Sequence, residues 1–171
     1  MRHPEPAGAV PPATDATALR HAFGRFATGV TVVTTVDAQG EPVGLTVNSF
    51  SSLSLDPPLL LWSLRRASPS LQAFCAAPRF AVNVLAEVHL EVSRTFAARV
   101  SHKFDAGPWE RDADGLPLLK GAAARFVCAT QSHQDAGDHV LFIGRVLRSS
   151  ETHEPPLVFQ GGRYRRLGGV L

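Results

Sequence analysis

The heptapeptide Val30-Thr31-Val32-Val33-Thr34-Thr35-Val36 is almost wholly β-branched, so it predicts a β-strand. The residues that follow it, Asp37-Ala38-Gln39-Gly40, are typical of a turn. A second strand is expected to begin near Pro42 and to run into a segment rich in hydroxyl side chains. Two strands joined by a short turn indicate a hairpin, and therefore an antiparallel sheet.

Further strands are predicted where short apolar runs are bounded by turn residues. They cover residues 59–64, 80–85, 123–132, 139–149 and 156–160, with turns at 134–138 and 161–162. Strands dominate this pattern and several are linked as hairpins. The sequence therefore predicts a mainly β fold, an antiparallel β-barrel with a few peripheral helices, and not alternating βαβ units. We expect one domain over residues 14–171 and a disordered tail over residues 1–13.

Three helices are predicted from apolar spacing or capping residues. The first runs from an N-cap at Thr14 or Asp15 to about residue 27, the second covers residues 68–74 with Ser68 as N-cap, and the third covers residues 86–98. The apolar residues expected to share a helix face are Leu19, Phe23 and Phe26 in the first helix and Val88, Val92 and Phe96 in the third.

Composition excludes several classes of protein. With 44% apolar and 19% charged residues, the chain is globular rather than disordered. A net charge of +2 is too small to favour nucleic-acid binding, and no apolar run reaches the length of a membrane helix. Residues 1–12 lack the apolar core of a secretory signal. Cys75 and Cys128 are expected to be buried free thiols, which favours a reducing, cytoplasmic location.

The segment Gly44-Leu45-Thr46-Val47-Asn48-Ser49-Phe50-Ser51-Ser52-Leu53-Ser54-Leu55-Asp56-Pro57-Pro58 carries the strongest functional signal. Its hydroxyls and amide offer both hydrogen-bond donors and acceptors, beside an apolar run. They can line a pocket for a flat polar ligand, such as the pyrimidine edge of a flavin. A solvated loop is the alternative explanation.

Other candidates leave two explanations open. Asn83 lies inside an apolar strand, where its amide either bonds neighbouring backbone or faces a pocket. Lys103 is one of only two lysines, and it is either solvated or part of a site. The group His133, Asp135, Asp138 and His139 has metal-ligand chemistry, but a hairpin turn explains its acidic residues more simply, so no metal site is predicted. Arg163-Tyr164-Arg165-Arg166 is either a phosphate site or a solvated tail.

Motifs for other chemistries are absent or fail. Residues 24–31 have P-loop glycine spacing but carry Val30 in place of the phosphate-binding lysine. No G-x-G-x-x-G follows a strand, and no G-x-S-x-G elbow is present.

The chain resembles the flavin reductase family that serves two-component monooxygenases. Seven landmarks carry the resemblance in order, from about Leu19 to Leu167. They are Phe26-Ala27-Thr28-Gly29-Val30-Thr31-Val32-Val33-Thr34, Gly44-Leu45-Thr46-Val47-Asn48-Ser49-Phe50, Ser54-Leu55-Asp56-Pro57-Pro58, Phe80-Ala81-Val82-Asn83-Val84-Leu85, Gly137-Asp138-His139 with Ile143-Gly144, Pro155-Pro156-Leu157, and Gly162-Arg163-Tyr164.

The resemblance implies an FMN-binding split barrel, Greek-key-like, that acts as a homodimer. It further implies that NADH or NADPH reduces FMN or FAD, and that the reduced flavin leaves for a separate flavin-dependent monooxygenase. The residues that it places at the flavin ring are Thr46, Val47, Asn48, Ser49 and Asn83. Those that it places at the ribityl and phosphate end are Ser51, Ser52, Ser68, Lys103 and Phe104.

His139 matches the pocket histidine of the family, and Tyr164 lies where the nicotinamide would approach. We expect His139 to position the carboxamide rather than to donate a proton, because hydride transfer itself requires no proton from it. Backbone N–H groups of residues 48–52 are suited to stabilise negative charge on the reduced ring. Two alternatives remain open at this point: an oxidase of the same barrel type that keeps its flavin, and a non-enzymatic flavin or haem binder.

Overall fold

The β-branched run forms a buried strand of a seven-stranded antiparallel sheet in the computed structural model, which describes residues 15–169. The predicted tail lies outside the described residues. The strands are β1 (Thr28–Gly29), β2 (Thr31–Val36), β3 (Pro42–Val47), β4 (Ser51–Leu55), β5 (Pro58–Arg65), β6 (Arg79–Val84), β7 (Trp109–Arg111), β8 (Pro117–Leu119), β9 (Ala124–Ala136), β10 (His139–Glu151), β11 (Val158–Gln160) and β12 (Arg163–Arg165). The helices are α1 (Ala16–Phe23), α2 (Leu71–Ala76) and α3 (Leu90–Ala97), with short 3₁₀ helices at Glu87–His89 and Lys103–Asp105.

The large sheet has the order β3-β2-β6-β9-β10-β5-β4. Its neighbours pair antiparallel, and the connections from β3 to β4 and from β5 to β6 pass between distant positions of the sheet. The edge strands β3 and β4 form no ladder with each other, so the sheet is split rather than closed. Smaller sheets join β1, β11 and β12, and β7 with β8. The predicted mainly β, split-barrel-like and Greek-key-like fold is confirmed.

Both faces of β2 are buried, which explains why its apolar residues do not alternate with polar ones. Val33 belongs to a core cluster that contains Trp62 and Phe142, whose rings stack with centroids 4.6 Å apart. Val32 belongs to a second cluster, on the α3 side, with Phe96. The buried threonines remain paired: the hydroxyls of Thr31, Thr34 and Thr35 donate to the carbonyls of Val47, Pro117 and Arg79.

The helices differ from their predicted bounds. Asp15 caps α1 through Thr17 N at 3.0 Å, as expected, but the helix ends at Phe23, four residues early. The second helix begins at Leu71 with Ser70 as N-cap, and Ser68 instead accepts a hydrogen bond from Ser70 N. A 3₁₀ turn precedes α3, so Val88 points to solvent, 76% exposed, and only the other two predicted apolar residues are buried.

The hairpin between β9 and β10 is tighter than predicted. The strands continue until Ala136 faces His139, which leaves Gly137 and Asp138 as the tip. Gly137 has φ +62°, a conformation that glycine adopts without strain. The predicted turn at residues 161–162 is confirmed between β11 and β12.

Both cysteines are free. Cys128 is buried as predicted, and its desolvation raises the pKa of the thiol to about 12. Cys75 is only half-buried, contrary to expectation; desolvation, and then the charge of Asp135, raise its pKa. No helix among residues 15–169 combines the length and apolar character needed to cross a membrane.

His89 is a buried imidazole beside the start of α3, 6% exposed. Its Nδ1 accepts a hydrogen bond from Ala86 N at 3.2 Å, and the ring also bonds the Lys120 carbonyl. Burial lowers the pKa of His89, against smaller opposing effects of the Lys120 carbonyl and the Glu154 carboxylate. The fold therefore holds this side chain in its neutral form.

We expect the free energy of unfolding to fall as the pH drops below about 6.5. The folded pKa of His89 lies below the unfolded value, so the unfolded chain binds more protons in this window and is favoured by acid. Thermal melts across this range should show a shallower loss of Tm for His89→Gln than for the wild type. The exposed His153→Gln is the control and should keep the wild-type slope; equal slopes for all three proteins would contradict the prediction.

Candidate active site

A cleft of about 1280 Å³ opens along the free edge of β3. It exceeds the usual range of small-molecule sites, about 300–1,000 Å³, so it has room for a large ligand. Its walls come from distant parts of the chain: residues 41–49, 63–65, 67–70, 96–100, 102–105 and His139.

The edge position of β3 exposes backbone hydrogen-bonding groups to the cleft. Leu85 N donates to Val30 O at 2.9 Å. The even-numbered residues of β2 therefore direct their backbone N–H and C=O groups toward β6, and the odd-numbered residues direct theirs toward β3. Thr31 pairs with Val47, so the odd-numbered residues of β3 bond β2. The backbone N–H and C=O groups of Gly44 and Thr46 therefore point away from the sheet, to the side on which the cleft lies.

Ser49 bridges the split in the sheet. Its hydroxyl donates to Ser63 O at 3.1 Å and accepts from Ser63 N at 2.9 Å, which ties the end of β3 to β5. The side chain is thus used within the protein, and Asn48, which is exposed, is the freer polar side chain of this turn. The Ser49–Ser63 bridge fixes where β3 ends relative to the opposite wall.

His139 lies at the start of β10, across from Arg65 at the end of β5. Its Nδ1 is 2.7 Å from Asp138 Oδ1, and this hydrogen bond is the main cause that lowers the pKa of Asp138. The contact orients the imidazole and leaves Nε2 as the ring nitrogen available to a ligand.

Lys103 lies at the other side of the cleft, next to the C-terminal end of α3. Its Nζ donates to Phe96 O at 3.1 Å, and burial lowers the pKa of the ammonium. Arg99 also lines the cleft, as do the carboxylate residues Glu41 and Asp105, while Arg65 lies on the His139 side. The ammonium group of Lys103 makes the side of the cleft next to α3 suited to a phosphate group.

The structure brings most of the predicted residues together. The eight that line the cleft are Thr46, Val47, Asn48, Ser49, Ser68, Lys103, Phe104 and His139. The four that it places elsewhere are Asn83, Ser51, Ser52 and Tyr164.

Asn83 was wrongly expected to face the cofactor. Its side chain is fully buried between β2 and β8, where the amide nitrogen donates to Val32 O at 3.1 Å and the amide oxygen accepts from Leu119 N at 2.9 Å. The amide therefore bonds neighbouring backbone within the core, which is one of the two explanations that the sequence left open.

The other three lie outside the cleft of this chain. Ser51 and Ser52 are exposed on β4, the opposite edge strand, because the polar run passes through a turn and changes strand. Tyr164 points toward α3, where its hydroxyl is 2.9 Å from Ser93 Oγ. Residues 96–100, at the end of α3, were missed; their apolar spacing indicated only a core helix.

The histidines and carboxylates of the β9–β10 hairpin diverge. His133 lies beside the ring of Phe142, and Asp135 pairs with Arg66 at 2.9 Å. In the part of the chain that the structure describes, no three His, Cys, Asp or Glu side chains are grouped as a metal site.

The Flavin reductase like domain model matches residues 23–168. The chain belongs to the flavin reductase family. A family member from Agrobacterium fabrum, "FMN reductase (NADH) SmoA", is 43% identical over 157 residues, which cover 92% of this chain and 89% of SmoA. A Rhizobium meliloti protein named "Probable flavin reductase" is 53% identical over 132 residues, 77% of this chain but only 42% of that protein. The chain thus spans less than half the length of that relative.

A solved family member supports the same grouping. The NADH:FAD oxidoreductase SgcE6 of Streptomyces globisporus, in complex with NAD and FAD fragments, superposes with a TM-score of 0.86 at 39% identity, covering 90% of this chain and 93% of SgcE6. The predicted family is confirmed.

The residues of the cleft fit a flavin. An isoalloxazine ring needs an apolar wall and mixed donors and acceptors at its pyrimidine edge. Val47 and Phe104 supply apolar surface, while Asn48 and the outward backbone of β3 supply both kinds of polar group. Lys103 and Ser68 are suited to a phosphorylated side chain.

Proposed function

We propose that this protein transfers hydride from NADH or NADPH to FMN or FAD and releases the reduced flavin to a separate monooxygenase. The observation that carries the proposal is the composition of the large cleft, which combines an apolar wall, ring-facing polar groups and cations in a member of the flavin reductase family. A relative from Rhodococcus jostii, 40% identical over 153 residues, is named "Flavin-dependent monooxygenase, reductase subunit HsaB".

The bound cofactors supply the hydride chemistry, so the protein has to bind and align them. Asn48 and the β3 edge hold the polar end of the ring, and Lys103 neutralises phosphate. His139 Nε2 bonds the carboxamide of the nicotinamide and sets its orientation. Bringing two rings into the reacting geometry can contribute roughly 7–11 kcal/mol to catalysis.

A homodimer is part of the proposal. Apolar side chains remain exposed on α1 and after it, with Phe23 at 69% and Phe26 at 76%, and on β4, where Leu55 is 96% exposed. Such surface is typical of an interface rather than of a free monomer. Light scattering during gel filtration should give twice the chain mass; a monomer at micromolar concentration would contradict this part.

A cytoplasmic location completes the proposal. The two free thiols suit a reducing compartment, which is also where NADH and NADPH are available.

The decisive experiment is an anaerobic assay that crosses NADH and NADPH with FMN, FAD and riboflavin. We expect many turnovers of nucleotide per protein when free flavin is in excess, with loss of absorbance at 340 nm. A single turnover that stops at bound flavin would favour the oxidase that retains its flavin. No nucleotide oxidation with any flavin would overturn the proposal.

Lys103→Met is expected to raise KM for FMN about 10-fold and to change KM for riboflavin, which has no phosphate, by less than about twofold. The matched control is the other lysine, Lys120, which pairs with Glu110 at 3.8 Å outside the cleft. Steady-state kinetics of Lys120→Met should match the wild type. An equal effect of Lys103→Met on both flavins would remove Lys103 from the phosphate site.

A further inference from the structure

A chain of hydrogen bonds connects the cleft wall to the C-terminal hairpin. Thr46 Oγ1 donates to the carbonyl of Ser93 at 2.7 Å. Ser93 lies on α3 and is fully buried, and its own hydroxyl is 2.9 Å from the hydroxyl of Tyr164. Three residues from three separate elements are thereby coupled, although only Thr46 lines the cleft.

The first bond restricts what Thr46 can offer to a ligand. A hydroxyl has one proton, and that of Thr46 is committed to Ser93. The lone pairs of Oγ1 remain, so toward the cleft this hydroxyl can only accept. The neighbouring Ser49 is restricted in the same way, because its proton is donated to Ser63. Donors along this wall must therefore come from backbone N–H groups and Asn48.

We propose that Thr46 Oγ1 accepts a hydrogen bond from the imide N–H of the flavin ring, and that Tyr164 is the positioning residue that holds this acceptor in place through Ser93. The inference rests on the proposed function. The pyrimidine edge of a flavin carries one N–H between two carbonyl oxygens. An oxygen that can only accept is complementary to the N–H and repels either carbonyl, so it fixes the register of the ring along β3.

The position of Tyr164 is set by the hairpin that carries it. Phe159 on β11 packs edge-on against the tyrosine ring, with centroids 5.3 Å apart. The hairpin is joined to β1 through Thr28 and Gly29, and Leu157 N donates to Leu85 O at 2.8 Å. Since this support is independent of β3, the tyrosine hydroxyl is a fixed point against which α3, and with it the Ser93 carbonyl, is held.

The test measures binding of FMN and of FMN methylated at N3, by quenching of flavin fluorescence without nucleotide. We expect the wild type to bind FMN about 10-fold more tightly than the methylated compound. Thr46→Val, which keeps the shape and removes the acceptor, should weaken FMN binding about 10-fold and leave the methylated compound unaffected. Thr46→Ser should restore the preference for FMN.

Tyr164→Phe removes only the hydroxyl and should reduce the preference for FMN about threefold. Phe159→Leu disturbs the same hairpin but keeps the hydroxyl, and should retain most of the preference.

Each part of the inference can fail separately. Equal affinity of the wild type for both flavins, or a full preference for FMN in Thr46→Val, would show that Thr46 does not accept from the imide. An unchanged preference in Tyr164→Phe would overturn the positioning role. The binding measurements do not depend on turnover. If the protein oxidises NADH with FMN but shows none of the expected differences in flavin affinity, only this inference is refuted. A protein that neither quenches FMN nor oxidises NADH refutes the proposed function.

Discussion

Replacing His139 with alanine is expected to raise KM for NADH about 10-fold, while KM for FMN changes less than about twofold. Asp138 orients the imidazole at 2.7 Å. In the proposed function His139 Nε2 bonds only the nucleotide, so its removal should affect NADH and not FMN. Initial rates at saturating FMN, with NADH varied, measure the first constant, and the converse experiment measures the second.

His133→Ala is the matched control for this prediction. His133 lies on the paired strand of the same hairpin but outside the cleft, beside Phe142. Its removal should leave both constants unchanged. If His139→Ala behaves like the control, or affects FMN and NADH equally, the role assigned to His139 is wrong.

Gly144→Ala is expected to lower the free energy of unfolding by about 2–3 kcal/mol. Gly144 is buried on β10, and a Cβ at this position would overlap ring carbon Cζ of Phe80 and lie 3.0 Å from Cys128 Cβ. Phe80 is itself 1% exposed in the core cluster around Trp62, so it has no space into which to move. Thermal denaturation should show a fall in Tm of about 5–10 °C.

Gly29→Ala provides the comparison, because a Cβ on Gly29 meets no atom within 4 Å. It should leave Tm within about 2 °C of the wild type. If the two variants melt at similar temperatures, overlap between a Cβ at position 144 and Phe80 is not what excludes a larger residue from this position.

The longer strands of the large sheet were predictable because their signals are local, whereas the short strands were mostly not predicted: β1, β4, β7, β8 and β12. The β-branched run gave β2, and the turn residues gave the hairpins that follow it. The bounds of the helices were less predictable from the sequence, because they depend on packing. Val88 has helical spacing from Val92, yet a 3₁₀ turn rotates it to solvent. Asn83 could not be assigned because the partner of its amide oxygen, Leu119 N, lies far along the chain.

The same distinction applies to the site. The hydroxyl and amide side chains of residues 44–58 indicated a pocket, and the resemblance to flavin reductases placed residues 46–49 at the ring. Ser51 and Ser52 share that polarity, but they follow a turn. They therefore lie on the opposite edge strand, β4, although they are close to residues 46–49 in the sequence. The wall formed by residues 96–100 is apolar except for Arg99, and only the fold brings it to β3.

The raised pKa values of the two thiols have a consequence under the proposed function, in which the protein generates reduced flavin. Free reduced flavin reacts with dissolved oxygen to give hydrogen peroxide, which oxidises thiolates far faster than thiols. Burial raises the pKa of Cys128 to about 12 and keeps the thiol protonated, and the pKa of Cys75 is raised as well. The only methionine, another target of oxidants, is Met1. If the protein releases reduced flavin as proposed, we expect its two thiols to resist oxidation by the peroxide that the flavin forms.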